Sequence, residues 1–296
     1  MPAFPSIDLR FTGDYSLAAS VALAASASFV DKLHAGPAGD VLDLAFPLEG
    51  SWRPVGVRID QPGQQVRAQV LANPGGAPAD DIRAQLERML ALDVEGAGFA
   101  GVAARDAVVA ALRQQHLGLR PVLLPSPYEA AARAIIGHQL PVRQAAAITA
   151  RIAAEHGVRV EVGEHVLHAF PAPDRLAGLP FVRGLAARKV EQLRALGTAA
   201  PGWLGSARLR AMGHDAAMAH LQQLAGIGPF SAELILLRGV GDPDAFPLQE
   251  KRLHRAMAAA YRLGDAPDLA ALERVADRWR PYRSWAGLLL RNSISQ

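Results

Sequence analysis

The period of the apolar positions changes once along the chain, near residue 75. Before that point alternation dominates. Val41, Leu42, Leu44 and Phe46 read as a strand over Val41–Pro47, and residues 54–59 and 66–71 read as two more. Gly50 and Gln61-Pro62-Gly63 supply the turns. Ahead of these strands, residues 16–33 are Ala-rich and read as a buried helix ended by Gly36 and Pro37. The order predicts a small antiparallel sheet with one helix packed on it. Asn73-Pro74-Gly75-Gly76-Ala77-Pro78 reads as a linker.

From Asp80 the period is helical almost throughout. Ile82, Leu86, Met89 and Leu90 share one face over residues 81–92, and residues 104–115 form a second helical stretch. Ser126-Pro127-Tyr128-Glu129 is a start signal, with Ser as cap, Pro at the first helical position and Glu three residues after Ser. That helix should run through Ile135 and Ile136 to Gly137. Residues 142–156 predict another helix, and 158–166 a short extended piece. Further helices are expected over 186–195, 215–224, 229–238, 251–261, 269–277 and 284–290. The expected fold class is α+β. An N-terminal antiparallel sheet domain with its helix takes residues 1–78, and a mostly α-helical region takes 79–296.

Composition narrows the function classes. The 296 residues include no cysteine, so disulfides, thiolate zinc sites, thiol catalysis and Cys-ligated iron–sulfur clusters are excluded. No segment reaches 18 apolar residues without a charge, so no membrane contact is expected. The apolar stretch 16–30 lacks the positive flank of a secretory signal, and a cytoplasmic, nucleoid-associated location is the expectation. His165 and His168 are three apart, without the spacing of a metal site, and no metal is expected. The net charge of +3 hides a division. Residues 1–100 hold seven Lys+Arg against twelve Asp+Glu, and residues 101–296 hold twenty-four against sixteen. A basic C-terminal two thirds suits a polyanionic partner.

The most informative string is Leu224-Ala225-Gly226-Ile227-Gly228-Pro229-Phe230-Ser231-Ala232. A helix runs into Leu224, the two glycines permit a very tight turn, and Pro229 opens a second helix. The peptide N–H groups of Gly226, Ile227, Gly228 and Phe230, together with Ser231 behind them, would point outward and bind a phosphate without reading a base.

This string resembles the hairpin of the helix-hairpin-helix DNA glycosylases, with Ala225 where the family usually has Pro. The resemblance extends over about residues 85–290. Pro127-Tyr128-Glu129 and Arg133-Ala134-Ile135-Ile136-Gly137-His138-Gln139 are similar to an earlier signature of that family. By position, His138 stands for the usual Gln and Gln139 for the side chain that wedges into the DNA stack. Phe246-Pro247 and Trp279-Arg280-Pro281-Tyr282-Arg283-Ser284-Trp285 resemble later signatures. The N-terminal part fits the sheet domain of the 3-methyladenine DNA glycosylase II branch. The resemblance implies two helical lobes with a cleft between them. It also implies a monomer acting on damaged double-stranded DNA, and no cofactor beyond a monovalent cation at the hairpin carbonyls.

The chemistry implied is hydrolysis of a C1′–N bond through a sugar oxocarbenium. A 3- or 7-alkylated purine leaves without being protonated, so one carboxylate suffices, acting on a base flipped from the duplex. The family's catalytic Asp follows the Phe-Pro element, and counting from Pro247 through Leu248 and Gln249 reaches Glu250. The extra methylene moves the carboxylate by about a bond length, and a misplacement of about 1 Å costs on the order of 10²-fold in rate. Three readings stay open: the backbone compensates, the substrate is altered, or the chain binds damage with little turnover. Glu233 is expected to favour its helix dipole, and Asp244 to serve a turn. Phe230 occupies the position where strand-cleaving relatives carry a Schiff-base Lys, so simple hydrolysis is expected. Phe230, Tyr282 and Trp285 are candidate stacking residues for the base, with Leu234 where relatives can carry another aromatic. Lys251, Arg252, Arg280 and Arg283 are candidate phosphate contacts.

Overall fold

In the computed structural model, residues 5–26, 34–35, 40–264 and 267–293 are described. Five strands form the N-terminal sheet: β1 Ser6–Leu9, β2 His34–Ala35, β3 Val41–Pro47, β4 Pro54–Asp60 and β5 Val66–Ala72. Their order is β1-β5-β4-β3-β2, antiparallel at every pairing. The three longest are the strands that alternation predicts. β1 and β2 are too short to show a period. Helix α1, Leu17–Ser26, begins where expected, with the Ser16 hydroxyl accepting from the amide of Ala19 at 3.1 Å. The rest of the expected 16–33 helix lies outside the described residues.

Helix α2, Ala79–Met89, is placed by burial against the sheet. Its Ile82, Leu86 and Met89 join Leu42, Val57, Ile59 and Ala68 in one core, so that core continues past residue 78. The stretch expected as one helix over 104–115 is two, α3 Phe99–Arg105 and α4 Ala107–Gln115. Asp106 divides them. Its backbone is extended and its carboxylate caps α4 through the amides of Val108 and Val109.

The central helices are α5 Pro127–Gly137 and α6 Val142–His156, as the periodicity predicts. The Ser126 hydroxyl caps α5 at the amide of Glu129, 3.1 Å away, while the Glu129 carboxylate pairs with Arg133 one turn on. The extended piece at 158–166 is a longer hairpin, β6 Val158–Val162 with β7 His165–Ala169. It lies on the outer face of the sheet, where Val160, Val162 and Leu167 meet Ala45, Leu71 and Ala72. Gly56 permits this approach, since a Cβ there would stand 2.6 Å from Val160 Cγ1. His165 Nδ1 reaches Asp43 Oδ2 at 2.7 Å, and Arg58 grips the same buried carboxylate with two donors at 2.7 Å.

Then follow α7 Pro173–Ala177, α8 Ala187–Trp203 (kinked at Pro201 and Gly202), α9 Ser206–Met212 and α10 His214–Leu221. The last elements are α11 Pro229–Ile235, a π-helical turn over Leu236–Val240, α12 Lys251–Tyr261, α13 Leu269–Ala276 and α14 Arg283–Ser293. These helices bury two separate cores. One runs from Leu124 to Val240; the other joins residues of α3 and α4 to Phe246 and the helices α12 to α14. Buried Arg88 ties α2 to both ends of the first, donating to the carbonyls of Leu124, Pro125 and Gly239. Desolvation pushes its guanidinium down to about 10. Among the described residues, no helix is long and apolar enough to cross a membrane.

Candidate active site

Two of the expected DNA elements face each other across one hollow. Helix α5 ends at Gly137, and His138 and Gln139 are exposed beyond it. Gln139 takes the left-handed backbone conformation, φ 54°, which turns the chain sharply before α6. Lys189 reaches over from α8 and donates to the carbonyls of Ile136 and His138, closing the C-terminus of α5. Sequence periodicity offers no sign of that contact. Opposite stand Gly228, Phe230 and Ser231 of the hairpin, and the hollow between measures about 560 Å³.

The hairpin turn differs in detail from its sequence reading. Only Gly226 is left-handed, at φ 87°; Gly228 is extended at φ −96°. The amide of Ile227 is not free for a phosphate. It donates to Leu224 at 3.0 Å, and the Ile227 side chain is buried. Gly228 is the N-cap of α11, and the first helical bond runs from Ala232 to its carbonyl at 2.9 Å, so the amides of Phe230 and Ser231 precede any helical partner.

Glu250 lies between the two helical cores. It is the N-cap of α12, its Oε1 accepting from the amide of Arg252 at 3.2 Å. Its Oε2 stands 3.4 Å from Nε of Arg291 on α14. The carboxylate lines a cleft with Phe230, Leu234, Glu233, Arg238, Trp285 and Arg291. Phe230 borders both this cleft and the hollow, and 47% of it is exposed. Arg238 is pushed down to about 10, first by burial and then by the neighbouring Arg291, with Glu250 opposing. Glu233 is shifted up by burial, with the amide of Leu248 and the backbone of Gln249 opposing.

Several expected site residues are used elsewhere. Tyr282 is a core residue: it is buried against Phe99 and Trp285, and its hydroxyl donates to the carbonyl of Glu95. Trp285 is 5% exposed, with the Arg120 guanidinium 5.1 Å from its ring centroid, so little of the ring is open to the cleft. Arg283 is not a free phosphate contact. It donates to the carbonyl and carboxylate of Asp244, at 2.8 and 3.0 Å, and Arg280 pairs with Asp244 and Asp277. Asp244 thus holds two arginines where a simple turn residue was expected. Lys251 and Arg252 are exposed at the start of α12, beside Glu250. Arg238, Arg291 and Lys189 escaped the sequence reading because their partners lie far away in the chain. Among the described residues, no group of three or more His, Asp and Glu could hold a metal.

No family model matches the chain. It is 32% identical over 206 residues to a Mycobacterium tuberculosis protein named probable bifunctional transcriptional activator/DNA repair enzyme AlkA, across 69% of this chain and 40% of that one. It is 32% identical over 174 residues to DNA-3-methyladenine glycosylase 2 of Escherichia coli, across 57% and 58%. These relatives support the helix-hairpin-helix DNA glycosylase superfamily for this chain, and within it the 3-methyladenine DNA glycosylase II branch. It spans about two fifths of the mycobacterial relative's length and under three fifths of the other's. The fold matches that of 3-methyladenine DNA-glycosylase from Archaeoglobus fulgidus over 97% of both chains, with a TM-score of 0.78 at 21% identity. The small N-terminal antiparallel sheet and the predominantly helical remainder are thus features of a known glycosylase architecture.

Proposed function

We propose that the protein is a monofunctional DNA glycosylase of base-excision repair. It would act as a monomer on double-stranded DNA and hydrolyse the N-glycosidic bond of alkylated purines of the 3-methyladenine and 7-methylguanine type. The observation that carries this reading is the meeting of Glu250 with Phe230 and Leu234, residues of the hairpin's second helix, in one cleft. A hairpin held on a phosphate by the amides of Gly228, Phe230 and Ser231 sets a flipped nucleotide beside that cleft. Lys251 and Arg252 add charge next to it, and Gln139 stands across the hollow to fill the gap left in the stack. Phe230 and the open part of Trp285 offer aromatic surface to an electron-poor base. The Glu250 carboxylate then stabilises the oxocarbenium sugar or orients the attacking water.

The names of the relatives support the reaction class, and the placement of Glu250 at a helix start supports the residue. The test is incubation of the purified protein with methylated duplex DNA and measurement of free 3-methyladenine. Release no greater than heat depurination alone overturns the proposal. A second reading, a damaged-DNA binder with little turnover, draws on Arg291. A guanidinium 3.4 Å from Glu250 offsets part of the negative charge that an oxocarbenium needs. Under that reading the protein shifts damaged duplex at low salt and releases no base.

A further inference from the structure

Glu233 has no part in the reaction above, yet it lines the same cleft as Glu250 and is only 5% exposed. It is the fifth residue of α11, beyond the first turn where a carboxylate gains from the helix dipole. Its bonds point elsewhere. Oε1 accepts from the amide of Leu248 at 3.1 Å, and the backbone of Gln249, next along the chain, further offsets the upward push of burial on the carboxyl. Those are the two residues directly before Glu250. Within residues 247–250 the backbone closes itself with one long bond, from the amide of Glu250 to the carbonyl of Pro247 at 3.3 Å. A buried carboxylate persists where its hydrogen bonds replace lost water, and here they are spent on this turn.

We propose that Glu233 is a positioning residue for base release, tying the turn that presents Glu250 to the helix that opens at the DNA-binding hairpin. The inference rests on the glycosylase reading. Its physical content is that Glu250 takes its place from α11, the element whose first amides meet the phosphate. Docking the hairpin and aiming the carboxylate become one event. A glutamate has one more rotatable bond than an aspartate, so its reach is useful only if its backbone is held.

The experiment compares the wild type with Glu233→Gln, Glu233→Ala and Glu233→Asp in the full chain. Single-turnover base release, affinity for an abasic duplex, and amide hydrogen exchange at Leu248 and Gln249 are followed together. Glu233→Ala should release base about tenfold or more slowly, bind the duplex as before, and lose protection at both amides. Glu233→Gln keeps a carbonyl acceptor and should recover most of the rate and the protection at Leu248. Should the alanine variant fail to fold, Glu233→Asp, one methylene short of the turn, takes its place with the same expectation. Wild-type rate with the amides exposed, unchanged protection in the alanine variant, or affinity falling in step with rate each overturns the proposal. A wild type that releases no base sinks the glycosylase reading instead, and amide exchange still decides whether Glu233 holds the turn.

Discussion

Glu250 does two jobs that different substitutions separate. As N-cap it stabilises α12, and as an anion it faces the cleft. Glu250→Gln keeps an oxygen for the amide of Arg252, so thermal stability should move by less than about 1 kcal/mol. Base release from methylated DNA should be abolished; unchanged release would mean that another carboxylate does the work. Glu250→Asp draws the carboxylate back by about 1.5 Å and away from Arg291. With residues 247–250 held by Glu233, release should fall by about 10- to 100-fold, measured in single turnover. A faster aspartate variant would show that the turn is already set for the shorter side chain. The family position of this carboxylate was legible in the string after Phe246. Its ion pair with Arg291, 41 residues on, was not.

At the scale of elements, the hairpin's two glycines serve different ends. Gly226 is left-handed, and a Cβ would meet the Gln192 side chain at 2.7 Å. Gly226→Ala should therefore lower stability by roughly 1–2 kcal/mol, read from thermal unfolding. Gly228 is extended, with nothing within 4 Å of where its Cβ would stand. Gly228→Ala should unfold at the wild-type temperature and bind duplex DNA more weakly, because the methyl intrudes beside the amides that open α11. Equal affinity would remove those amides from the DNA interface. The hairpin and the cap at Ser126 were readable because their signals are local. The break at Asp106 was missed because apolar spacing continues across it while the backbone does not.

Across the whole molecule, the β6–β7 hairpin is fastened to the N-terminal sheet by Asp43. Burial raises this carboxyl, but the hydrogen bonds and charges of Arg58 and His165 outweigh it and hold it below the ordinary range. A depressed folded value means that the carboxylate adds stability above the unfolded aspartate range. That stability is lost as pH falls through the lower folded value. Asp43→Asn should cost about 1–3 kcal/mol near neutral pH and flatten the acid limb of the stability curve. An unaltered acid limb in pH-dependent unfolding would show that the contact contributes nothing. The proposed binding to DNA belongs to this scale too. The excess of basic residues beyond residue 100 predicts an affinity that falls steeply with added salt.

The sequence by itself determined what depends on neighbours within a turn or two. Alternation specified the three long strands, helical spacing specified most of the helices, and the Gly226 to Ser231 string specified the hairpin. These are local because caps, turns and periodic faces are written in consecutive residues. Only the tertiary structure decided which charges are spent. Arg283 and Arg280 look like phosphate contacts until Asp244 is seen between them, and Tyr282 looks like a stacking face until its hydroxyl is found on Glu95. Glu233 looks like a helix-start carboxylate until the amide of Leu248 is seen on it, fifteen residues on. Each is a contact between elements that the chain brings together only when its separate cores form, and the burial that fixes these partners exists only in the folded state.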